Sequence, residues 1–129
     1  MTKKQSKAAA PYAYEGLNRV IHERARLSIL TSLITRPGGL SFVELKQFCS
    51  LTDGNLARHL QVLEEDGMVR TTKVGDGARA QTTARITASG RKRYLEYLTI
   101  LEQVVRDAAA VPDEVEEDRH VTKLTPVKA

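Results

Sequence analysis

Asn55, Arg58 and Gln61 recur every third residue in the segment TDGNLARHLQVLEEDG. On a helix turning by about 100° per residue they share one broad arc. Arg presents a fork of donors that matches guanine O6 and N7, and the Asn amide matches adenine N6 and N7. Thr52 stands just before this arc and His59 at its edge. Further along, Lys73 and Arg79 flank the turn Gly75-Asp76-Gly77. Cations at such a tip can reach phosphate or a minor groove. The chemistry on offer is hydrogen bonding to base edges beside charge neutralisation of a polyanion.

These side chains need a frame that turns them outward. Leu56, Leu60 and Leu63 follow an i, i+4, i+7 spacing and predict the buried side of the same helix. Thr52 can cap its start and Gly67 its end. The acids Glu64, Glu65 and Asp66 cluster at its C-terminus, where they oppose the macrodipole and repel phosphate. Only the N-terminal half is therefore expected to approach DNA. The helix before it should open at Ser41 with the S-x-x-E capping box completed by Glu44. It buries Phe42, Leu45 and either Phe48 or Cys49, and ends near Cys49-Ser50. The polar break from Ser50 to Gly54 makes the pair a helix–turn–helix.

Periodicity predicts a first helix over Leu17 to Arg36, with Leu17, Val20, Ile21, Leu27, Leu30 and Ile34 as its stripe, widened by Ile29 and Leu33. Pro37-Gly38-Gly39 ends it. Met68 to Lys73 and Gln81 to Thr87 alternate as two strands of a hairpin too small to stand alone. Thr87 can cap a last helix whose stripe Tyr94, Leu98, Leu101 and Val105 is broadened by Leu95, Tyr97, Ile100 and Val104. That is more apolar surface than one small domain covers. A second copy is the simplest cover, with Leu17, Tyr94, Leu98, Leu101 and Val105 as the expected dimer interface.

The chain has 129 residues, a net charge of +4, 41% hydrophobic and 5% aromatic residues, and no Trp. One domain with a Leu, Ile, Val and Ala core fits that size. We expect residues 1–14 to be a flexible basic arm, 15–110 the folded domain, and 111–129 a disordered acidic tail. Residues 70–93 carry Arg70, Lys73, Arg79, Arg85, Arg91, Lys92 and Arg93 against Asp76 alone, whereas 113–118 read DEVEED. This asymmetry suggests a polyanion-binding middle and a solvated end. No apolar run approaches the roughly 18 residues of a membrane span. The N-terminus has no apolar signal core, and the single Cys49 fits a reducing cytoplasm.

The segments TDGNLARHLQVLEEDGMV, the hairpin with GDGAR, and ITASGRKRYLEYL resemble winged helix–turn–helix regulators of the MarR/ArsR-like group. The resemblance covers about residues 17 to 105 and includes the Thr-x-x-Gly-Arg at Thr87 to Arg91. It implies a mainly α fold with a small two-stranded β-wing, whose last helix joins two copies. It also implies a homodimer that binds pseudo-palindromic double-stranded DNA with sequence specificity and regulates transcription. Carried onto this chain, Thr52, Asn55, Arg58 and His59 become recognition-helix contacts, joined by Gln61 from the exposed arc. Lys73 and Arg79 become wing contacts.

MarR-like proteins often add helices that shape an effector pocket, and this chain shows one helix after the wing. No small-molecule ligand is expected. ArsR-like metal sensors gather Cys, His and Asp, whereas here one Cys and the scattered His22, His59 and His120 leave only Asp118 with His120 in the tail. No metal or cofactor is expected. The chain lacks a P-loop, a G-x-G-x-x-G after a strand and a nucleophile elbow, so an enzyme is not expected. Two alternatives stay open: a winged-helix module for protein–protein contact, and a metal- or small-molecule-gated sensor.

Overall fold

The computed structural model describes residues 10–110. The lysines of the expected arm up to residue 9, and the expected acidic tail with Asp118 and His120, lie outside the described residues. The element order is α1 (Arg24–Ile34), β1 (Leu40–Ser41), α2 (Phe42–Cys49), α3 (Asp53–Glu65), β2 (Val69–Val74), β3 (Gln81–Ile86) and α4 (Ala88–Ala109). Four helices thus surround a small antiparallel sheet of order β1-β3-β2.

The first helix is shorter than its hydrophobic period predicts. Asn18 stops it from starting at Leu17, because its side-chain oxygen accepts from the amides of Val20 (2.8 Å) and Ile21 (3.1 Å). A local Asn–backbone bond of this kind competes with helix formation. The helix begins only after Glu23, whose carboxylate accepts from the Arg26 amide at 2.8 Å. Apolar spacing reports burial, and residues 17–23 are packed on the core without being helical.

The sheet has three strands where two were expected. Leu40 pairs with Ala84 and Ser41 with Thr83. A two-residue strand is too short to show alternation, so it left no sequence signal. β2 and β3 pair from Val69↔Ile86 to Val74↔Gln81, and the tip is closed by a 3₁₀ turn at Gly77–Arg79. On the sheet's inner face Val69 and Ala84 are buried, while Arg70 and Arg85 lie exposed on the other.

The core is formed by Ile21, Ile29, Leu30, Leu33, Leu45, Leu56, Leu63 and Met68 together with Tyr94 and Tyr97 of α4. Cys49 is buried among them and its burial pushes the thiol's pKa up, which suits a packing residue. Phe48, the other candidate for that face, is exposed under the Arg36 guanidinium, 5.6 Å from the ring centroid.

α4 joins the sheet through a contact that explains the Thr-x-x-Gly spacing. The Thr87 hydroxyl donates to the Gly67 carbonyl (2.7 Å) and accepts from the Gly90 amide (2.9 Å). The Thr87 amide donates to the Met68 carbonyl at 2.9 Å. A Cβ on Gly90 would stand 2.2 Å from that same carbonyl oxygen, so only glycine lets the helix come this close.

Candidate nucleic-acid interface

α2 and α3 are held as a rigid pair by their ends. The capping box forms as the spacing predicts: Ser41 Oγ accepts from the Glu44 amide (3.1 Å), and Glu44 Oε1 accepts from the Ser41 amide (2.9 Å). α2 ends on Ser50, whose left-handed backbone (φ 56°) turns the chain sharply. Thr52 Oγ1 then accepts from the Asn55 amide at 3.2 Å and caps α3. Lys46 of α2 reaches Asp53 at the start of α3 at 2.7 Å, which bridges the turn.

α3 divides as its leucine spacing implies. Leu56, Leu60 and Leu63 are at most 5% exposed, and Asn55, Arg58 and Gln61 face outward. In the free protein these outward groups hold one another or neighbouring acids. Arg58 Nη2 donates to Asn55 Oδ1 (3.3 Å), and Gln61 Nε2 donates to Glu65 Oε2 (3.2 Å). Such bonds in water are weak and can be exchanged for base edges at small cost.

His59 sits differently from the rest of the set. Its side chain is only 11% exposed, with Nδ1 3.2 Å from Arg26 Nη1 and 3.9 Å from Glu23 Oε1. Burial raises the Glu23 carboxyl, but the bond from the Arg26 amide and the nearby Arg26 guanidinium outweigh this and hold it below its ordinary value.

The acids at the end of α3 are each occupied within the chain. Glu64 accepts from the Thr71 hydroxyl at 3.1 Å and ties α3 to β2. Asp66 meets Arg93 of α4 at 2.9 Å, and a second Arg93 nitrogen donates to the Asp66 carbonyl at 2.7 Å. Neither bond was legible as a pairing: Asp66 and Arg93 are 27 residues apart, and Glu64 meets Thr71 only once the chain has turned from α3 into β2. The hairpin they brace leaves Lys73, Arg79 and Arg70 exposed.

The expected dimer set is divided by the fold. Tyr94 belongs to the core of its own chain, 4% exposed, with its hydroxyl 2.7 Å from Thr31 Oγ1. Leu17, Leu98 and Leu101 pack partly buried against that core, because the 17–23 segment and α1 cover one side of α4. Val105 remains 67% exposed and Leu95, outside the set, 48%. Residues 10–14, the end of the expected flexible arm, run with Glu15 and Gly16 beside the C-terminal half of α4. Ala10, Pro11, Tyr14 and Gly16 share a groove with Ile100, Gln103 and Arg106, and the Tyr14 hydroxyl donates to Asp107.

Among the described residues no three His, Cys, Asp or Glu side chains gather as a metal site, and no helix is long and apolar enough to cross a membrane.

A capped helix pair presenting one polar helix face, followed by a braced basic hairpin, defines a winged helix–turn–helix module. Residues 25–105 match the sequence model of the winged helix DNA-binding domain, and the chain belongs to that family. An uncharacterized protein of Methanocaldococcus jannaschii is 37% identical over 83 residues, spanning 62% of this chain and 86% of that protein. Among solved structures, a transcriptional regulator homologue from Pyrococcus horikoshii superposes with a TM-score of 0.64 at 27% identity, covering 86% of this chain and all of that one. The YusO protein of Bacillus subtilis has the same fold at a TM-score of 0.64 and 17% identity, over 99% of this chain and 91% of its own. A MarR-family regulator from Silicibacter pomeroyi also shares the fold (TM-score 0.54, 18% identity, covering 98% of this chain and 86% of its own). The winged fold expected from the sequence is therefore the fold these regulators share.

Proposed function

We propose that this protein is a sequence-specific double-stranded DNA-binding regulator of transcription, acting in the cytoplasm as a homodimer and not as an enzyme. The observation that carries the reading is the division of α3: three leucines fully engaged inside, and Asn55, Arg58 and Gln61 presented outside beside a cationic wing. In this reading the N-terminal half of α3 enters a major groove. Asn55 and Arg58 leave each other for base edges, and Thr52, at the mouth of α3, meets a phosphate through its hydroxyl. Lys73 and Arg79 neutralise phosphates along the flank and release counterions. The exposed Leu95 and Val105 of α4 support pairing of two copies along that helix. The pairing of Asp66 with Arg93 within the chain trims the acidic patch at the end of α3 and weakens the reading as a protein-interaction module.

The test is fluorescence anisotropy of the full chain with a labelled random duplex at low and moderate salt, followed by selection of bound fragments from genomic DNA. Binding that weakens steeply with salt, plus enrichment of an inverted repeat, is the expected outcome. Absence of duplex binding at low salt would overturn the proposal.

A further inference from the structure

Arg26 is the one cation on α1 that reaches the proposed reading helix, and its bonds fix what His59 can be. Arginine has donors only. A guanidinium nitrogen 3.2 Å from Nδ1 therefore requires that Nδ1 accept, which leaves the neutral ring's proton on Nε2. The same guanidinium donates through Nε to the Val20 carbonyl at 2.6 Å. Arg26 thus ties three things together: the non-helical segment before α1, α1 itself, and the middle of α3.

We propose that Arg26 is a positioning residue for DNA discrimination: its bond to neutral His59 latches α3 at one fixed setting, and protonation of His59 releases the latch. A protonated ring would set an N–H against the Arg26 N–H, and the two must part. Glu23, already 3.9 Å from Nδ1, is the acceptor on hand for the turned ring. The charged groups facing the imidazole from the α1 side are Arg26 and Glu23. On α3 itself the residues one turn away, Asn55, Leu56, Val62 and Leu63, carry no charge. The inference rests on the DNA-binding reading, because the latch holds the helix that carries Asn55 and Arg58. A latch beside Arg58 and one turn along from Asn55 sets their angle into a groove without touching a base. Its release should blunt the choice between sequences more than it weakens grip on phosphate.

The full chain should be tested as wild type and as His59→Asn, whose amide oxygen can accept from Arg26 near the place of Nδ1 and does not titrate. Two readouts are needed. Nitrogen-detected NMR of the histidine rings in the free protein should show His59 as the Nε2–H tautomer above about pH 7.5. Competition between a selected genomic fragment and random duplex should lose discrimination by about fivefold or more between pH 8 and pH 5.5 in the wild type, at the low end of ordinary coupling between sites. The His59→Asn curve should stay flat. His22 is present in both proteins, so the difference between the curves isolates His59. An Nδ1–H tautomer, or the same pH profile in both proteins, would overturn the inference while leaving duplex binding intact. A wild type that binds no duplex would overturn the DNA-binding reading itself, and the tautomer would still report on the latch. Arg26→Gln should abolish the pH difference as well, but it also frees the Val20 carbonyl, so the His59 variant decides.

Discussion

At the scale of single residues, the reading surface is a matter of which groups are left unclaimed by the fold. Among the described residues Arg58 donates only to Asn55, and both side chains are exposed. A bidentate Arg–guanine contact is worth about 1–3 kcal/mol of discrimination. Arg58→Ala is therefore expected to lower affinity for a selected fragment by about 1–3 kcal/mol, with little change on random duplex, as competition titrations would show. Equal losses on both would assign Arg58 to phosphate. Residue types and spacing were enough to place Asn55, Arg58 and Gln61 outside, because the leucine period leaves them no other side. His59 escaped that logic. One position off the arc, its environment depends on Glu23 and Arg26, more than thirty positions away, and a helical period carries no such information.

At the scale of elements, caps were legible and junctions were not. Ser41, Thr52 and Thr87 each announce a helix start by local chemistry, and each makes the bond its position predicts. The start of α1 failed because Asn18 diverts the backbone inside an otherwise regular apolar pattern. β1 failed because its two residues have meaning only opposite Thr83 and Ala84. The wing shows what this division implies for function. Its base is braced by Glu64 and by the Thr87–Gly67 contact, while its outer half from Thr72 to Arg79 is exposed. Substitutions there should leave folding nearly unchanged, within about 0.5 kcal/mol. Lys73→Ala is thus expected to keep the wild-type melting temperature, weaken all duplexes alike and reduce the slope of log affinity against log salt by about one. An unaltered slope would show that the wing does not touch phosphate.

At the scale of the whole molecule, the segment before α1 behaves as a strap along α4. His22 Nδ1 lies 2.6 Å from the Tyr97 hydroxyl, and the Tyr14 hydroxyl donates to Asp107. The Asp107 bond raises the Tyr14 pKa to about 12, and the Tyr14 and Gln103 bonds hold the Asp107 carboxyl below its ordinary value. The signs follow from linkage. The Asp107 contribution is present above the ordinary aspartate range and is lost as pH falls through its depressed pKa. The Tyr14 contribution is present below about pH 10 and is lost as pH rises through about 12. The strap is expected to stay closed across the neutral range and to open in acid. Amide exchange at Leu17, whose N–H bonds the Tyr14 carbonyl at 3.1 Å, should rise below about pH 4 relative to an intrinsic-rate control. Tyr14→Phe should show that rise already at neutral pH. Equal protection in both proteins would mean that the bond does not hold the strap. The sequence pointed to residues 15–110 as the folded unit and gave no sign of the Tyr14–Asp107 bond, because its two partners are separated by nearly the whole domain.

The near-contact of Gly90 with the Met68 carbonyl reaches beyond its own neighbourhood. From Gly90 α4 runs on to Ala109 as a rod about 28 Å long at 1.5 Å per residue. A tilt of about 10° there would swing the far end by about 5 Å, more than the roughly 3.4 Å step between stacked bases. In a symmetric pair joined along α4, the absence of one methyl group would then calibrate a caliper, setting how many base pairs separate the two reading heads.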